Sequence, residues 1–400
     1  MSVLTVFFCG TGSNSEDNNH KNYVSGELIS TLAKNTTGRD MIDYIQVDGV
    51  GSGNQNEWLK QGKDDTYSTI RGTLQGKGID SNMRHVLNII RGNQQDKNDY
   101  LKRAKGLLSE SRPAKSPWPF ATNQKYQDWL KDSKELAADL KHGIAARQQN
   151  IAIERQSKPI SQVNIVGWSR GGVSCFELAN RMLKDPELSH IPVNIFACDP
   201  VPGGMNAFKD YKSLGKNVKQ IVCVFAEDER SLAFKARMPR LSRSTQYYTT
   251  YMPGRHGTLV GNANTSGGSK GAGLLTGPGL VTRDFMEKVL TGWGTKLKGS
   301  STLNFSRQRI IELYEQMRSH EEYFNKMHGI TYTAKNRLFW TSKDRIGQQR
   351  ERRFGIPMYR FQFPGITNNY GDAINRHHCD VLATNAFATK GTSSALPNSV

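Results

Sequence analysis

One serine in the chain lies between two glycines, where a strand pattern gives way to a helix pattern. In NIVGWSRGGVSCFELANRM, residues 164–182, Ser169 is flanked by Gly167 and Gly171. QVNIV has the apolar character of a buried strand, and VSCFELANRML has helical periodicity. This context predicts a nucleophile elbow, with the serine hydroxyl above the edge of a sheet and the backbone N–H of Arg170 facing a developing oxyanion. The alternative is a glycine-rich strand–helix turn without a chemical role.

A nucleophilic serine needs a general base, and that base needs a carboxylate that orients it. In folds with this elbow, the acid and then the histidine follow the serine along the chain. His256 lies in a glycine-flanked loop, YMPGRHGTLVG, and we predict that it is the base. His320 and His328 fall on or at the end of a helical pattern, where solvated or capping roles fit better.

Asp199 is the predicted acid, because it ends the strand pattern VNIFACDP that follows the elbow helix. An aspartate at the carboxyl end of a core strand points into the crevice where ligands bind. Three competing acids end the next strand pattern, in CVFAEDERS: Glu227, Asp228 and Glu229. The alternative for these acids is a solvated turn, or a structural partner for Arg230 or Arg170.

The sequence predicts neither a metal nor a cofactor. The pair His377–His378, in NRHHCD, resembles half of a metal site, but no matching ligand cluster accompanies it. The glycine-rich stretch 264–279, NTSGGSKGAGLLTGPG, is expected to be a loop. It lacks the G-x-x-x-x-G-K-[ST] spacing of a phosphate-binding loop, so nucleotide binding is not expected.

The elements that position these residues indicate an α/β fold. Helical periodicity over 83–90 and 175–183 alternates with short apolar runs, which is typical of a mostly parallel sheet with helices on both faces. We predict an α/β-hydrolase-like arrangement of this kind, with a helical insertion and a C-terminal appendage. The predicted strands are Leu4–Cys9, Tyr44–Val47, Gln162–Val166, Val193–Cys198 and Gln220–Ala226.

The chain divides into a predicted catalytic domain, residues 1–300, and a basic C-terminal section, residues 301–400. Within the first, the polar, lysine-rich interval of about 92–159 is expected to be a helical insertion that acts as a lid or as an ordinary surface excursion. The second begins with a predicted long helix over 307–327. A basic aromatic tract and a loose tail rich in Thr, Ser and Ala follow it.

The composition favours an anionic partner, because the formal net charge is +18 and the sequence pI is about 9.6. Nucleic acid, an anionic membrane surface and an acidic protein all satisfy that charge. The five cysteines are scattered without a C-x-x-C pair and fit reduced core positions. No apolar stretch approaches the roughly 18 residues that span a bilayer. The first residues resemble a strand and not a Sec signal, so we expect synthesis in a bacterial cytoplasm, with export by a specialised system left open.

Six short sequence blocks follow one another along the chain: FFCGTGSN, DGVGSG, GWSRGG, CDPV, FAEDER and PGRHGTLVG. In order and context they resemble the type VI secretion lipase effectors, an α/β-hydrolase family with an uncharacterised-domain relative found across bacteria. The family pattern has F-D-G-T-x-N at the first strand, G-F-S-R-G at the elbow and G-x-H-x-D-V-G around the histidine. The resemblance extends over about 260 residues and leaves out 92–159 and the section beyond about 300.

The resemblance implies the same three roles as the residue-level analysis: Ser169 as nucleophile, Asp199 as acid and His256 as base. It also implies that Gly10 and Thr11, after the first strand, supply the second oxyanion donor. Two departures put substrate preference, and any ion bound in relatives, in question. Cys9 replaces the aspartate before Gly-Thr of the family pattern, and Thr258 replaces the aspartate two residues after the histidine.

Characterised members of the family are phospholipases, so the resemblance implies cleavage of glycerophospholipid acyl esters by a secreted effector. A phospholipid membrane is then the substrate, and secretion machinery or an immunity protein are further partners. The alternatives are an esterase or thioesterase for a non-membrane acyl substrate, and an inactive fold that binds a membrane or nucleic acid. Nucleic acid is the less favoured partner. A membrane-docking role is expected for basic and aromatic residues of the C-terminal tract: Phe339, Trp340, Arg345, Arg350, Arg352, Arg353 and Arg360.

Overall fold

The computed structural model of the chain contains a six-stranded parallel sheet. Its strands are β1 Val3–Phe8, β2 Tyr44–Val47, β3 Gln162–Trp168, β4 Val193–Cys198, β5 Val218–Ala226 and β6 Gln246–Met252. Every neighbouring pair is parallel, in the order β2-β1-β3-β4-β5-β6. The structure describes residues 2–20, 22–52, 79–92, 104–105, 108, 111–113, 124–202, 210–229, 234, 236–265, 273–327, 332–334 and 337–339.

Helices pack on both faces of the sheet, which confirms the predicted α/β class. They are α1 Leu28–Lys34, α2 Ile79–Arg91, α3 Gln124–Ser157, α4 Arg170–Lys184, α5 Gly277–Gly292, α6 Arg307–Ser319 and α7 Glu321–Met327. A short antiparallel pair, β7 Tyr332–Ala334 and β8 Arg337–Phe339, follows them. Among the described residues, no helix is both long and apolar enough to cross a bilayer.

Alternate side chains of each strand enter two separate hydrophobic clusters, because successive Cβ atoms of a strand point to opposite faces. In β1, Leu4 and Val6 belong to the cluster that contains α2 and α4, whereas Phe7 belongs to the cluster that contains α1, α5, α6 and α7. Every residue of β4 is buried. Strands buried on both faces have continuous apolar sequences, which is why the central strands were predictable.

The five predicted strands are present: β2 and β4 have the predicted bounds, and the ends of β1, β3 and β5 differ by one or two residues. β6, Gln246–Met252, was not predicted. Its sequence, QYYTTYM, lacks a continuous apolar run because it lies at the edge of the sheet and pairs with β5 alone. Tyrosine and threonine favour strands, but their hydroxyl groups hide that preference from a search for apolar residues.

The glycine-rich stretch 264–279 is not a loop to its end, contrary to the prediction. Gly277, Pro278 and Gly279 form the first turn of α5. Proline suits the first turn of a helix because its missing N–H has no intrahelical acceptor there. A Cβ on Gly279 would lie 3.0 Å from the Cα of Gly261, so glycine lets this turn pack against the loop that follows His256.

The second half of the interval 92–159 is helical, as its pattern predicts. α3 ends against the body of the protein, where the buried Arg155 donates from Nη2 to the carbonyl of Met41 (3.0 Å) and from Nε to that of Ile89 (3.3 Å). Arg39 also binds Glu154 through Nη1 and Oε1, which are 2.6 Å apart. These contacts attach the C-terminal end of α3 to α2 and to the loop before β2. The insertion and lid roles stay predictions.

The predicted single helix over 307–327 is two helices, α6 and α7, that meet at His320. The carbonyl of His320 accepts the N–H of Tyr323 (3.0 Å) and starts the second helix. Two acids in the first turn of α7 favour a start there, because they face the positive end of the helix dipole. Both helices contribute to the cluster that contains α1 and α5. The arginines 345–360 lie outside the described residues.

A buried glutamate begins α1. The carboxylate of Glu27 accepts the backbone N–H of Ile29 (3.1 Å) and of Ser30 (2.9 Å), as well as the Ser30 hydroxyl (2.8 Å). Its side chain is fully buried. Burial has the largest effect on the carboxyl and raises its pKa to about 7, although the hydrogen bonds act in the opposite direction.

This raised pKa predicts how stability changes with pH. From the ordinary pKa of 4.5 up to about 7, the folded protein holds a proton on Glu27 that the unfolded chain has released. The contribution of Glu27 to stability is therefore complete below pH 4.5 and is lost as the pH rises to about 7. Glutamine does not titrate, so the stability of wild type relative to Glu27→Gln should fall by roughly 1–3 kcal/mol from pH 5 to pH 8. Urea unfolding of both proteins at several pH values measures this difference, and a difference that stays constant or rises contradicts the assignment.

Candidate active site

The predicted reactive residues lie at the carboxyl edge of the parallel sheet. Ser169 follows β3, Asp199 follows β4, and His256 lies in the loop after β6. β1 and β3 are neighbours, but their next neighbours, β2 and β4, lie on opposite sides. The chain therefore leaves β1 and β3 in opposite directions, and in open α/β sheets such a switch point opens a crevice that binds ligands.

Ser169 has the strained backbone of a tight strand–helix corner, with φ 60° and ψ −127°. Non-glycine residues adopt this region rarely, and it costs about 1–3 kcal/mol when they do. Neighbouring strand ends hold the corner: the N–H of Ser169 donates to Cys198 (3.1 Å), and its carbonyl accepts the N–H of Val201 (3.1 Å). Strain held by its surroundings in this way is a common property of functional sites.

The two glycines of the G-x-S-x-G motif are required by close backbone contacts. A Cβ on Gly167 would lie 2.3 Å from the carbonyl oxygen of Gly171, and one on Gly171 would lie 2.2 Å from that of Phe8. The obstructing atoms belong to the backbone, so a side-chain rotation cannot relieve either clash. The motif therefore lets α4 begin directly against the end of β1.

Asp199 and His256 are in direct contact. Asp199 Oδ2 lies 2.7 Å from His256 Nδ1, and both side chains are almost completely buried. The second oxygen, Oδ1, accepts the N–H of Ala226 (3.2 Å), which fixes the carboxylate. A carboxylate at Nδ1 favours the tautomer with a proton on that nitrogen and a free electron pair on Nε2.

Nε2 of His256 is buried and makes no hydrogen bond within the described part of the chain, so the Ser169 hydroxyl is not bonded to it. Contacts of this kind are frequently long in the absence of substrate and tighten when substrate binds. The nitrogen is thus available to receive a proton. The three roles assigned to Ser169, Asp199 and His256 stay predictions.

Two of the three competing acids, Asp228 and Glu229, bind the backbone of the loop that contains His256, whereas Asp199 contacts the imidazole ring. Asp228 Oδ2 accepts the N–H of Gly254 (2.6 Å), and Glu229 Oε2 accepts the N–H of His256 (3.2 Å). Glu229 Oε1 also lies 3.4 Å from the Arg255 guanidinium, with both side chains fully buried. All three acids are buried, so the solvated-turn alternative is wrong, and Glu229 is paired with Arg255. A pairing of one of these acids with Arg170 or Arg230 stays a prediction.

Two backbone N–H groups are available in the turn after β1. Neither Gly10 nor Thr11 donates a backbone hydrogen bond to another described residue. The turn is held from the far side, where Gly12 donates to Val50 (3.1 Å) and Gly49 donates to Ser13 (2.9 Å). Arg170 begins α4, so its own N–H lies in the first turn, where helices lack internal acceptors. The oxyanion roles of Gly10, Thr11 and Arg170 stay predictions that this arrangement accommodates.

The two departures from the family pattern have structural roles in this chain. The buried thiol of Cys9 lies 3.6 Å from the Ser30 hydroxyl and 3.7 Å from the Gln46 amide nitrogen. Burial, followed by two nearby carboxylates, raises the pKa of this thiol well above its usual range, so it stays neutral. Thr258 Oγ1 accepts the N–H of Arg255 (3.1 Å) and closes the turn that contains His256.

Across the described ranges, no group of three or more His, Cys, Asp or Glu side chains is arranged to hold a metal ion. The histidine pair 377–378 lies outside those ranges. That the chain needs no metal and no cofactor stays a prediction.

Sequence reasoning missed the residues that support this site. Glu229 and Asp228 were considered as rivals of Asp199 and not as supports of the histidine loop. Asp48, whose Oδ1 accepts the N–H of Ser15 (2.9 Å), belongs to the block DGVGSG, but no role was predicted for it. Its position directly after β2, at the same sheet edge as the other strand-end acids, was the available signal.

Neither the protein-family models nor the curated proteins contain a match to this chain. Among solved structures, an uncharacterized protein from Pseudomonas aeruginosa is similar with a TM-score of 0.45 and 14% identity, over 82% of this chain and 52% of that one. The Tle1 effector bound to the VgrG spike from the Type 6 secretion system is similar with a TM-score of 0.32 and 12% identity, over 68% and 51%. This chain spans about half the length of both. Similarity at this level does not bear on function.

The glycine contacts predict opposite effects for two Gly→Ala substitutions. Gly171→Ala should destabilise the fold by about 1–3 kcal/mol, because its Cβ meets the backbone of β1. Gly143 lies in the exposed middle of α3, where an added Cβ would meet no neighbouring atom within 4 Å. Gly143→Ala should therefore stabilise the fold by about 0.5–1 kcal/mol. Thermal and urea unfolding measure both effects. If Gly171→Ala were as stable as Gly143→Ala, the tight approach of α4 to β1 would be wrong.

Proposed function

We propose that the protein is a serine hydrolase that cleaves acyl esters of glycerophospholipids, as a phospholipase A does. The observation that carries this proposal is the buried 2.7 Å contact between Asp199 and His256. It lies at the same sheet edge as a serine in a strained strand–helix corner. A buried histidine with a carboxylate at Nδ1 is the arrangement that the general base of a serine nucleophile requires.

In the proposed reaction, Ser169 Oγ attacks the acyl carbonyl carbon while its proton passes to His256 Nε2. Asp199 stabilises the imidazolium that forms, and the N–H groups of Arg170 and of the turn at Gly10 and Thr11 bind the negative oxygen. The tetrahedral intermediate collapses, and the imidazolium protonates the departing alcohol, a lysophospholipid. Water, deprotonated by His256, then attacks the acyl-enzyme, releases the fatty acid and restores the serine.

The phospholipid substrate is the finer part of the proposal and has separate support. The resemblance of the six sequence blocks to lipase effectors favours a membrane substrate, delivery by a specialised secretion system and recognition by an immunity protein. The net charge of +18 agrees with an anionic membrane surface. An esterase or thioesterase for a soluble acyl substrate is the second candidate, because the same serine chemistry serves it. Product analysis on phospholipid vesicles and on soluble esters and thioesters separates the two, since a phospholipase releases fatty acid and lysophospholipid from vesicles.

Ser169→Ala should abolish ester hydrolysis without unfolding the protein. Loss of a nucleophile leaves only the contributions of binding and oxyanion stabilisation, so kcat should fall by several orders of magnitude, on the order of 10⁶-fold. The matched control is Ser174→Ala, the same change at another buried serine one turn further along α4. It should keep wild-type turnover of a short-chain ester. Equal turnover in the two variants would refute the nucleophile assignment.

Asp199→Asn should reduce kcat by about 10⁴-fold, because asparagine cannot hold the imidazole in the required tautomer or stabilise its charged form. Asp228→Asn makes the same chemical change in an aspartate that binds the backbone of Gly254, so its loss should be much smaller. Steady-state hydrolysis of a soluble ester by both folded variants provides the comparison. The reverse order of losses would transfer the acid role to Asp228.

A further inference from the structure

Trp168, the residue before the predicted nucleophile, is in contact with the predicted base at two places. Its indole ring stacks on the imidazole of His256, with centroids 4.9 Å apart and planes inclined by 30°. The indole Nε1 donates to the backbone carbonyl of His256 (3.3 Å). Phe234 also contacts the imidazole, with centroids 5.0 Å apart and planes inclined by 69°. Trp168 thus contacts both the ring and the backbone of the histidine.

The same indole contacts the turn after β1. A Cβ on Gly10 would lie 2.2 Å from Cε3 of Trp168, so the glycine backbone packs directly against the ring. Trp168 is 6% exposed and ends β3, which pairs with both β1 and β4. Its backbone is therefore fixed by the sheet. Its side chain reaches from the turn at Gly10 and Thr11, called here the oxyanion turn, to the loop that contains His256.

We propose that Trp168 is the positioning residue that sets the histidine and the oxyanion turn relative to Ser169. The proposal rests on the hydrolase function proposed above. As a positioning residue, Trp168 does not touch the substrate carbonyl and acts through the groups that do.

The stacking contact should be stronger during the reaction than before it. When His256 receives the serine proton it becomes an imidazolium, and the face of an indole attracts a cation more strongly than a neutral ring. An interaction that strengthens in the transition state raises kcat and leaves substrate binding unchanged. A role confined to folding would instead change stability without this selective effect on kcat.

Three variants test the proposal with a soluble short-chain ester. Trp168→Leu removes the stacking and the N–H donor, and should lower kcat by about 10- to 100-fold with KM within about twofold. Trp168→Phe keeps an aromatic face but loses the N–H donor, so its kcat should be only about three- to fivefold below that of wild type. Trp293→Phe is the matched control, because that indole donates to Gln220 Oε1 (2.6 Å) at the opposite end of the sheet, where β5 begins. It should keep wild-type kcat.

A folded Trp168→Leu variant with kcat within twofold of wild type overturns the proposal. So does a Trp168→Phe variant that loses as much as Trp168→Leu, because the aromatic face would then have no role. If Trp168→Leu does not fold, the comparison of Trp168→Phe with Trp293→Phe decides, and equal rates in these two overturn the proposal.

A measurement that does not depend on turnover separates this proposal from the proposed function. In the NMR spectrum of wild type, the ring protons of His256, assigned by their loss in His256→Gln, should be shifted upfield by the stacked indole. They should move downfield in Trp168→Phe, whose smaller ring produces a weaker ring current. If the His256 ring protons had the chemical shifts of an exposed histidine, the stacking of Trp168 on His256 would be refuted, whether or not the protein hydrolyses esters. A shifted resonance in a protein without esterase activity refutes the proposed function alone.

Discussion

The close approach of two backbones beneath Ser169 is the constraint on which the rest of the site depends. Gly171 packs against the carbonyl oxygens at the end of β1, and Gly167 packs against Gly171. The serine is thereby held at φ 60° and ψ −127° in the corner between strand and helix. The N-terminus of α4, with its partial positive charge, is brought to the switch point of the sheet, where negative charge would develop in acyl transfer. A larger residue at either glycine would separate α4 from β1 and move the serine away from the other groups.

The histidine loop owes its position to a second constraint, the continuation of the β5–β6 pairing beyond the strands. The backbone N–H of Glu227 donates a hydrogen bond to the carbonyl of Met252 (2.9 Å), and that of Asp228 donates to Gly254 (2.9 Å). The Glu229 carboxylate then accepts the N–H of His256. The ion pair of Glu229 with Arg255 is fully buried, and removal of one partner from such a pair typically costs about 3–5 kcal/mol. This cost ties the loop to the sheet. Asp199, which follows the adjacent strand β4, therefore meets a histidine whose backbone is already fixed.

How much of this arrangement could be predicted depends on how far apart the interacting residues lie along the sequence. The central strands were predictable because burial on both faces requires continuous apolar runs, and the strand-end positions of Ser169 and Asp199 followed from them. The edge strand β6 and the break at His320 were missed because neither leaves a strong periodic signal. The pairing of Glu229 with Arg255, and the stacking of Trp168 on His256, join residues 26 and 88 positions apart. Side-chain contacts of this kind depend on the packed loops, and local patterns do not encode them.

The proposed function requires that Ser169 is a nucleophile activated by His256. The most direct test is treatment of the wild-type protein with a fluorophosphonate, followed by intact-mass measurement and peptide mapping. We expect a single covalent adduct on Ser169, with labelling strongly slowed in His256→Gln, because the hydroxyl must lose its proton to react. Absence of an adduct on the folded wild-type protein, or an adduct at another residue, would contradict it.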